Sequence, residues 1–166
     1  METTLPKRKR LRLQNYDYSM NACYFVTLCV KDRKPIFCKI KQPDNNFSQP
    51  IIELMPEGLI VDKYINRIEK IYKNVFVDNY VIMPDHIHLL ISIEQPLLSA
   101  NNVSLSMIIK STKSLISKEI GESFWQKSFF DEIILDEKAY MKAEQYIDDN
   151  PAVWLSGKHS YKDIIF

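Results

Sequence analysis

Glycine is scarce in this chain, with 3 in 166 residues, against a hydrophobic share of 46% and an aromatic share of 11%. That balance excludes collagen-like repeats, low-complexity architecture and intrinsic disorder, and one compact domain with a true core is expected at this length. Cysteine is scarce too. Cys23, Cys29 and Cys38 are odd in number, with no Cys-x-x-Cys spacing and no histidine nearby, so neither a disulfide framework nor a zinc finger is indicated. They read as buried thiols of a reducing cytoplasm. The N-terminus carries charge without an apolar stretch behind it, and no apolar run reaches the ~18 to 20 residues that a membrane span needs. A cytoplasmic protein with no membrane partner is expected. An excess of one charge sign is also missing: 22 Lys+Arg stand against 21 Asp+Glu, a formal net charge of +1 that says little about partners.

The placement of charge says more. Lys7, Arg8, Lys9, Arg10 and Arg12 put five cations in six positions, and Asp131, Glu132, Asp136, Glu137, Asp148 and Asp149 crowd the far end. A basic arm on a neutral body is the usual footprint of phosphate contact. The expected organisation is a basic arm over residues 1–20, one domain over 21–154 and a tail over 155–166.

Hydrophobic periodicity supplies the elements. Ala22 to Val30 alternates Tyr24, Val26, Leu28 and Val30 against Phe25, Thr27 and Cys29, the period of a strand. The stretch Pro35 to Pro56 reads as a long excursion that could carry an edge hairpin. From Gly58 to Tyr72 apolar residues recur at helical spacing, and Val75 to Met83 and His86 to Ile93 form an antiparallel strand pair across Pro84-Asp85. A second amphipathic helix is expected from Leu105 to Ile120, with Lys110, Lys113 and Lys118 outward. A fourth strand follows at Phe129 to Leu135, then a helix N-capped by Asp136, running from Glu137 to Asn150 and stopped by Pro151. The order is βαββαβ plus a final helix. It predicts an α+β, ferredoxin-like fold, a four-stranded antiparallel sheet with two helices on one face and the last helix free to cross the other.

Two segments carry candidate chemistry. In Met83-Pro84-Asp85-His86-Ile87-His88-Leu89-Leu90-Ile91, the period of two puts Ile87, Leu89 and Ile91 on the helix-covered face and both imidazoles on the other. Two histidines at i and i+2 can converge on one metal ion, although a His-x-His also occurs as two hydrogen-bonded, half-buried side chains. The third histidine, His159, lies in a polar tail and reads as an ordinary surface residue. In Gln145-Tyr146-Ile147-Asp148-Asp149-Asn150-Pro151, Tyr146 and Asn150 are i and i+4 on one helix face. A tyrosine at such a place is by itself most often a boundary residue, and with 9 tyrosines in the chain composition does not select this one.

Five ordered segments select it. Arg12-Leu13-Gln14-Asn15-Tyr16-Asp17-Tyr18-Ser19, Tyr24-Phe25-Val26-Thr27, Met83 to Leu90, Trp125-Gln126-Lys127-Ser128 and Gln145 to Pro151 together resemble the REP-associated tyrosine transposases. These are HUH-type single-tyrosine transposases of the insertion-sequence kind, and the likeness runs from about Arg8 to Trp154. The resemblance implies a single-stranded DNA endonuclease and strand transferase acting on hairpin-forming palindromes. Tyr146 would be the nucleophile, and His86, His88 and Asn150 would hold a divalent metal, Mg or Mn. The chain departs from the family where Asp131-Glu132 and Leu135 stand in place of a common Asp-His pair and a nearby Arg; Asp85 replaces a frequent Asn.

Further DNA contacts are expected from the arm Lys7 to Arg12 and from Lys110, Lys113 and Lys118, with Trp125 or Phe129 as base-stacking candidates. For the lysines a merely solvated face is an equal reading, and for Trp125 a core role competes. A monomer and a homodimer are both compatible with the resemblance. Two other functions stay open: a DNA-binding module that keeps the fold but does not cut, and a metal-dependent phosphodiesterase that uses water.

Overall fold

The computed structural model describes residues 22–44, 49–94 and 103–157. The arm with Lys7, Arg8, Lys9, Arg10 and Arg12, and His159 in the tail, lie outside the described residues. Among the described residues, six strands and four helices follow in the order β1 (Ala22–Cys29), β2 (Cys38–Lys41), β3 (Ile51–Leu54), α1 (Pro56–Ile65), α2 (Ile68–Ile71), β4 (Val75–Ile82), β5 (His86–Ile93), α3 (Leu105–Ile120), β6 (Phe130–Ile134) and α4 (Glu137–Leu155). A short 3-10 turn, Lys31–Arg33, follows β1.

The main sheet has the order β4-β5-β1-β6 with every neighbour antiparallel, which is the ferredoxin-like βαββαβ arrangement expected from the periodicity. The alternating residues of the central strands divide two cores. Tyr24, Val26, Leu28, Ile87, Leu89 and Ile91 pack under α1 and α3 with Val61, Ile65, Ile108, Ile109 and Ile116. Phe25, Val81, Met83 and Leu90 face the other way, against Ala143 and Ile147 of α4. A glycine is required at one contact of the first layer. A β-carbon on Gly58 would stand 2.0 Å from the carbonyl oxygen of Phe37, and that oxygen is fixed as the acceptor of the Met55 N–H at 2.8 Å.

Three expectations are corrected. The helix from Gly58 to Tyr72 is two helices: the ladder tightens at Arg67, whose N–H bonds the Tyr64 carbonyl at 3.2 Å, and at that end the Asn66 amide donates to the Asp62 carbonyl at 2.8 Å and to the Tyr80 hydroxyl at 2.9 Å. The hairpin β2–β3 is a separate two-stranded sheet, not an edge of the main one, and it sets Ile40 and Ile52 against the α4 core. Pro151 does not stop α4, which continues to Leu155. Proline has no N–H for the Ile147 carbonyl. However, Ala143, Ile147, Asn150 and Pro151 itself are all buried on the docked face, so packing carries the helix through.

Candidate active site

The site begins with strand register. On β1 and β5, Thr27 lies opposite His88 and Cys29 opposite His86, and directly opposed residues of an antiparallel pair share a face. The Thr27 hydroxyl therefore meets His88 Nδ1, at 2.8 Å. β4 flanks the same imidazole from the other side through Val81, so His88 has neighbours on both hands and no exposed surface. Phe25, on the diagonal, stacks on it with ring centroids 5.2 Å apart.

His86 opens the strand, and its Nδ1 is hydrogen-bonded to Oδ1 of Asp85, a carboxylate as buried as the ring. Burial pushes the His86 pKa down against the opposing pull of Asp85, which favours a neutral imidazole with a lone pair to offer. With each Nδ1 engaged, the two Nε2 atoms face each other at 3.1 Å. The rings meet edge to face, centroids 4.7 Å apart.

Helix α4 brings the phenol. Four helical residues rise about 6 Å, close to the ~6.6 Å between alternate residues of a strand, so an i, i+4 pair on a helix can match an i, i+2 pair beneath it. Tyr146 accordingly sits over His88, centroids 5.2 Å apart and edge to face, while its ring edge also meets Phe25 at 5.7 Å. One turn on, the Asn150 side chain reaches His86. The continuation past Pro151 adds Trp154, 6.2 Å from His86. The Asp136 carboxylate caps the start of α4 by accepting from the Ala139 N–H at 2.7 Å, and the Asn79 amide donates to Asp148 at 2.9 Å, tying the helix to β4.

Asn150 is 2% exposed, and its Oδ1 is a buried oxygen that lies toward His86 without a hydrogen bond of good geometry. A buried acceptor left without a donor is costly unless a cation or water serves it. Two imidazole nitrogens and an amide oxygen make a donor set whose chemistry suits a divalent metal. Among the described residues no group of three or more His, Cys, Asp or Glu side chains gathers to hold a metal.

The remaining candidates lie elsewhere. Lys110, Lys113 and Lys118 belong to α3, in the layer on the far side of the sheet. Lys110 and Lys118 are exposed. Lys113 is corrected as a free phosphate contact: its ammonium donates to the carbonyls of Gln126 at 2.7 Å and Ser128 at 3.4 Å. Trp125 is corrected as a stacking platform, and Phe129 with it, since both rings are core. Trp125 is 8% and Phe129 6% exposed, and the Trp125 ring packs on Phe37 and Phe124 at 5.4 and 4.7 Å.

Sequence reasoning did not single out Thr27, Asp85, Arg33 or Trp154 as parts of the site. Parity alone places Thr27 on the histidine face; its pairing with His88 needed the register. Cys29 and Cys38 are buried as expected, but Cys23 is half-buried, beside Asp78. No described helix is long and apolar enough to cross a membrane.

A family model described as "Transposase IS200 like" matches residues 18–150. An uncharacterized protein of Haemophilus influenzae is 27% identical over 168 residues, covering 89% of each chain. Among solved structures, that of a REP-associated tyrosine transposase bound to a REP hairpin superposes with a TM-score of 0.59 at 16% identity, covering 85% of this chain and 73% of that one. A putative transposase from Deinococcus radiodurans gives a TM-score of 0.45, also at 16% identity, over 83% and 95% of the two chains.

Proposed function

Because the chain belongs to the IS200-like transposase family, we propose that it is a single-stranded DNA endonuclease and strand transferase with Tyr146 as nucleophile. The observation that carries this reading is that one chain assembles the whole constellation: the Tyr146 ring over His88, the facing Nε2 atoms, and the buried oxygen of Asn150. The likeness to a transposase bound to a REP hairpin supports hairpin-forming DNA as the substrate class.

Phosphodiesters repel nucleophiles through their own negative charge, and a divalent cation held by His86, His88 and Asn150 would lower the barrier by stabilising charge on the phosphate. The Tyr146 phenol oxygen attacks phosphorus, the bond to the 3′ oxygen breaks, and that oxygen takes up a proton as a 3′-hydroxyl. The phenol gives up its proton in the same exchange. A tyrosine phenol, with an ordinary pKa of ~10, is also a good leaving group, so a DNA 3′-hydroxyl can attack the 5′-phosphotyrosine and return Tyr146. One phosphodiester is exchanged for another, and no nucleotide cofactor is consumed. Packing of Tyr146 against Phe25 and His88 restricts the ring before any DNA arrives, so less orientation is left to arrange in the reaction.

Two imidazole ligands suit Mn better than Mg, which favours oxygen ligands and water. Activity with Mn is expected to equal or exceed that with Mg in a metal add-back assay, and strict dependence on Zn would contradict the assignment. The decisive comparison uses a labelled hairpin oligonucleotide on a denaturing gel. A covalent adduct that forms with Mn and is lost in Tyr146→Phe supports the strand transferase. Binding without cleavage would leave a DNA-binding module, and Mn-dependent cleavage without an adduct would leave a phosphodiesterase that uses water.

A further inference from the structure

The mechanism uses the outward nitrogens of the two histidines and assigns nothing to the carboxylate behind one of them. Asp85 is 1% exposed, and the same Oδ1 that bonds His86 Nδ1 lies 3.8 Å from the Arg33 guanidinium. The backbone around this carboxylate is stitched at several points. Val30 N–H donates to the Asp85 carbonyl at 2.9 Å, Phe37 N–H to the Pro84 carbonyl at 3.1 Å, and Met83 N–H to the His86 carbonyl at 2.9 Å. The connector after β1 thus holds the Pro84-Asp85 turn from both ends. Within that connector Asp32 and Arg33 have φ of 57° and 54°, the left-handed region that residues with a β-carbon avoid. Such conformations persist where surrounding structure imposes them, and here the turn delivers Arg33 to Asp85.

From this we infer that Asp85 is a positioning residue that locks His86 in the tautomer protonated on Nδ1, so that the Nε2 lone pair is always presented toward His88 and Asn150. A neutral imidazole has one N–H, and a carboxylate can only accept, so the opposite tautomer would set two lone pairs against each other in a buried contact. His88 is under no such constraint: its Nδ1 meets the Thr27 hydroxyl, which can donate or accept. The two ligands are therefore prepared differently, His86 fixed and His88 adaptable. The Arg33 guanidinium adds its positive charge 3.8 Å from the Asp85 carboxylate, an ion-pair separation longer than a hydrogen bond.

The inference rests on the metal-site reading above, and its test separates the two. Long-range 1H–15N spectra of the histidines in cation-free protein report the His86 tautomer directly, and electron paramagnetic resonance of free Mn reports affinity. The wild type is expected to show His86 protonated on Nδ1. Asp85→Ala, which removes the acceptor, should move His86 toward the other tautomer and weaken Mn binding about 10- to 100-fold, the usual effect of losing such a partner. Asp85→Asn keeps a carbonyl oxygen that can accept, and should retain the tautomer with a smaller loss than the alanine variant. A wild-type His86 protonated on Nε2, or an Asp85→Ala protein with unchanged tautomer and Mn affinity, would overturn the inference. Should the alanine variant not fold, the wild-type and Asp85→Asn spectra still decide. Should the wild type bind no Mn at all, the metal reading fails, while the tautomer spectra still judge Asp85.

Discussion

At the scale of single residues, burial has sorted the polar groups by use. Cys29 stands across from His86, and none of the three thiols has a part in the proposed chemistry. Burial raises Cys23 and Cys29 to about 11 and Cys38 to about 12, so at neutral pH the nucleophilic thiolate is scarce, roughly one molecule in a thousand or fewer. Native protein treated with iodoacetamide at pH 7.5 is therefore expected to remain unmodified by mass spectrometry over an hour, with all three thiols reacting after denaturation. Fast labelling of Cys29 in native protein would contradict its place behind His86. Asn150 is the opposite case, a buried oxygen that lies toward His86 without a hydrogen bond of good geometry, as suits a place where a cation or a water completes the set. Period-two alternation showed both histidines on one face from sequence alone. It did not show the Asp85 contact, because parity assigns Asp85 to the other face and only the turn geometry brings its carboxylate back to His86.

At the scale of elements, the site depends on a match of repeats: one turn of α4 spans nearly the distance between alternate residues of β5, so Tyr146 and Asn150 align with His88 and His86. Everything that seats α4 or the connector is then relevant to function. Gly58 is a sharp example, because its missing side chain lets α1 approach Phe37 in that connector. Gly58→Ala would force backbone apart and is expected to destabilise the fold by about 1 to 3 kcal/mol or more, read as a lower urea midpoint; an unchanged midpoint would contradict the close approach. Element identity was legible in the sequence wherever periodicity ran long, and β5 and α3 have the bounds expected of them. Departures came where a tertiary contact competed with a local rule. At the end of α1 the Asn66 side chain bonds to Tyr80 on a distant strand, and buried packing takes α4 past Pro151 to put Trp154 beside His86.

At the scale of the whole molecule, the sheet separates a structural layer from a chemical one. α1 and α3 cover one face, and α4 with the β2–β3 hairpin covers the other, where the histidines point. A net charge of +1 gives little general attraction to nucleic acid, so local cations must supply it. We propose Lys110 and Lys118, exposed on α3, as contacts for DNA that has passed the edge of the sheet, alongside the arm Lys7 to Arg12. A Lys110→Ala, Lys118→Ala variant is expected to bind a hairpin oligonucleotide more weakly, with a salt dependence shallower by up to ~1.4, taking ~0.7 for each single-strand phosphate that is no longer neutralised. A salt slope equal to that of the wild type would confine DNA to the histidine face and the arm.

The claim on which the rest depends is that one phenol among 9 tyrosines becomes joined to DNA. Protein incubated with Mn and a hairpin oligonucleotide, then digested with nuclease and trypsin and analysed by tandem mass spectrometry, should carry a phosphonucleotide on the peptide that begins at Ala143, with the mass placed on Tyr146. A nucleotide attached to any other tyrosine, or product strands cut without any tyrosine bearing one, would contradict the account.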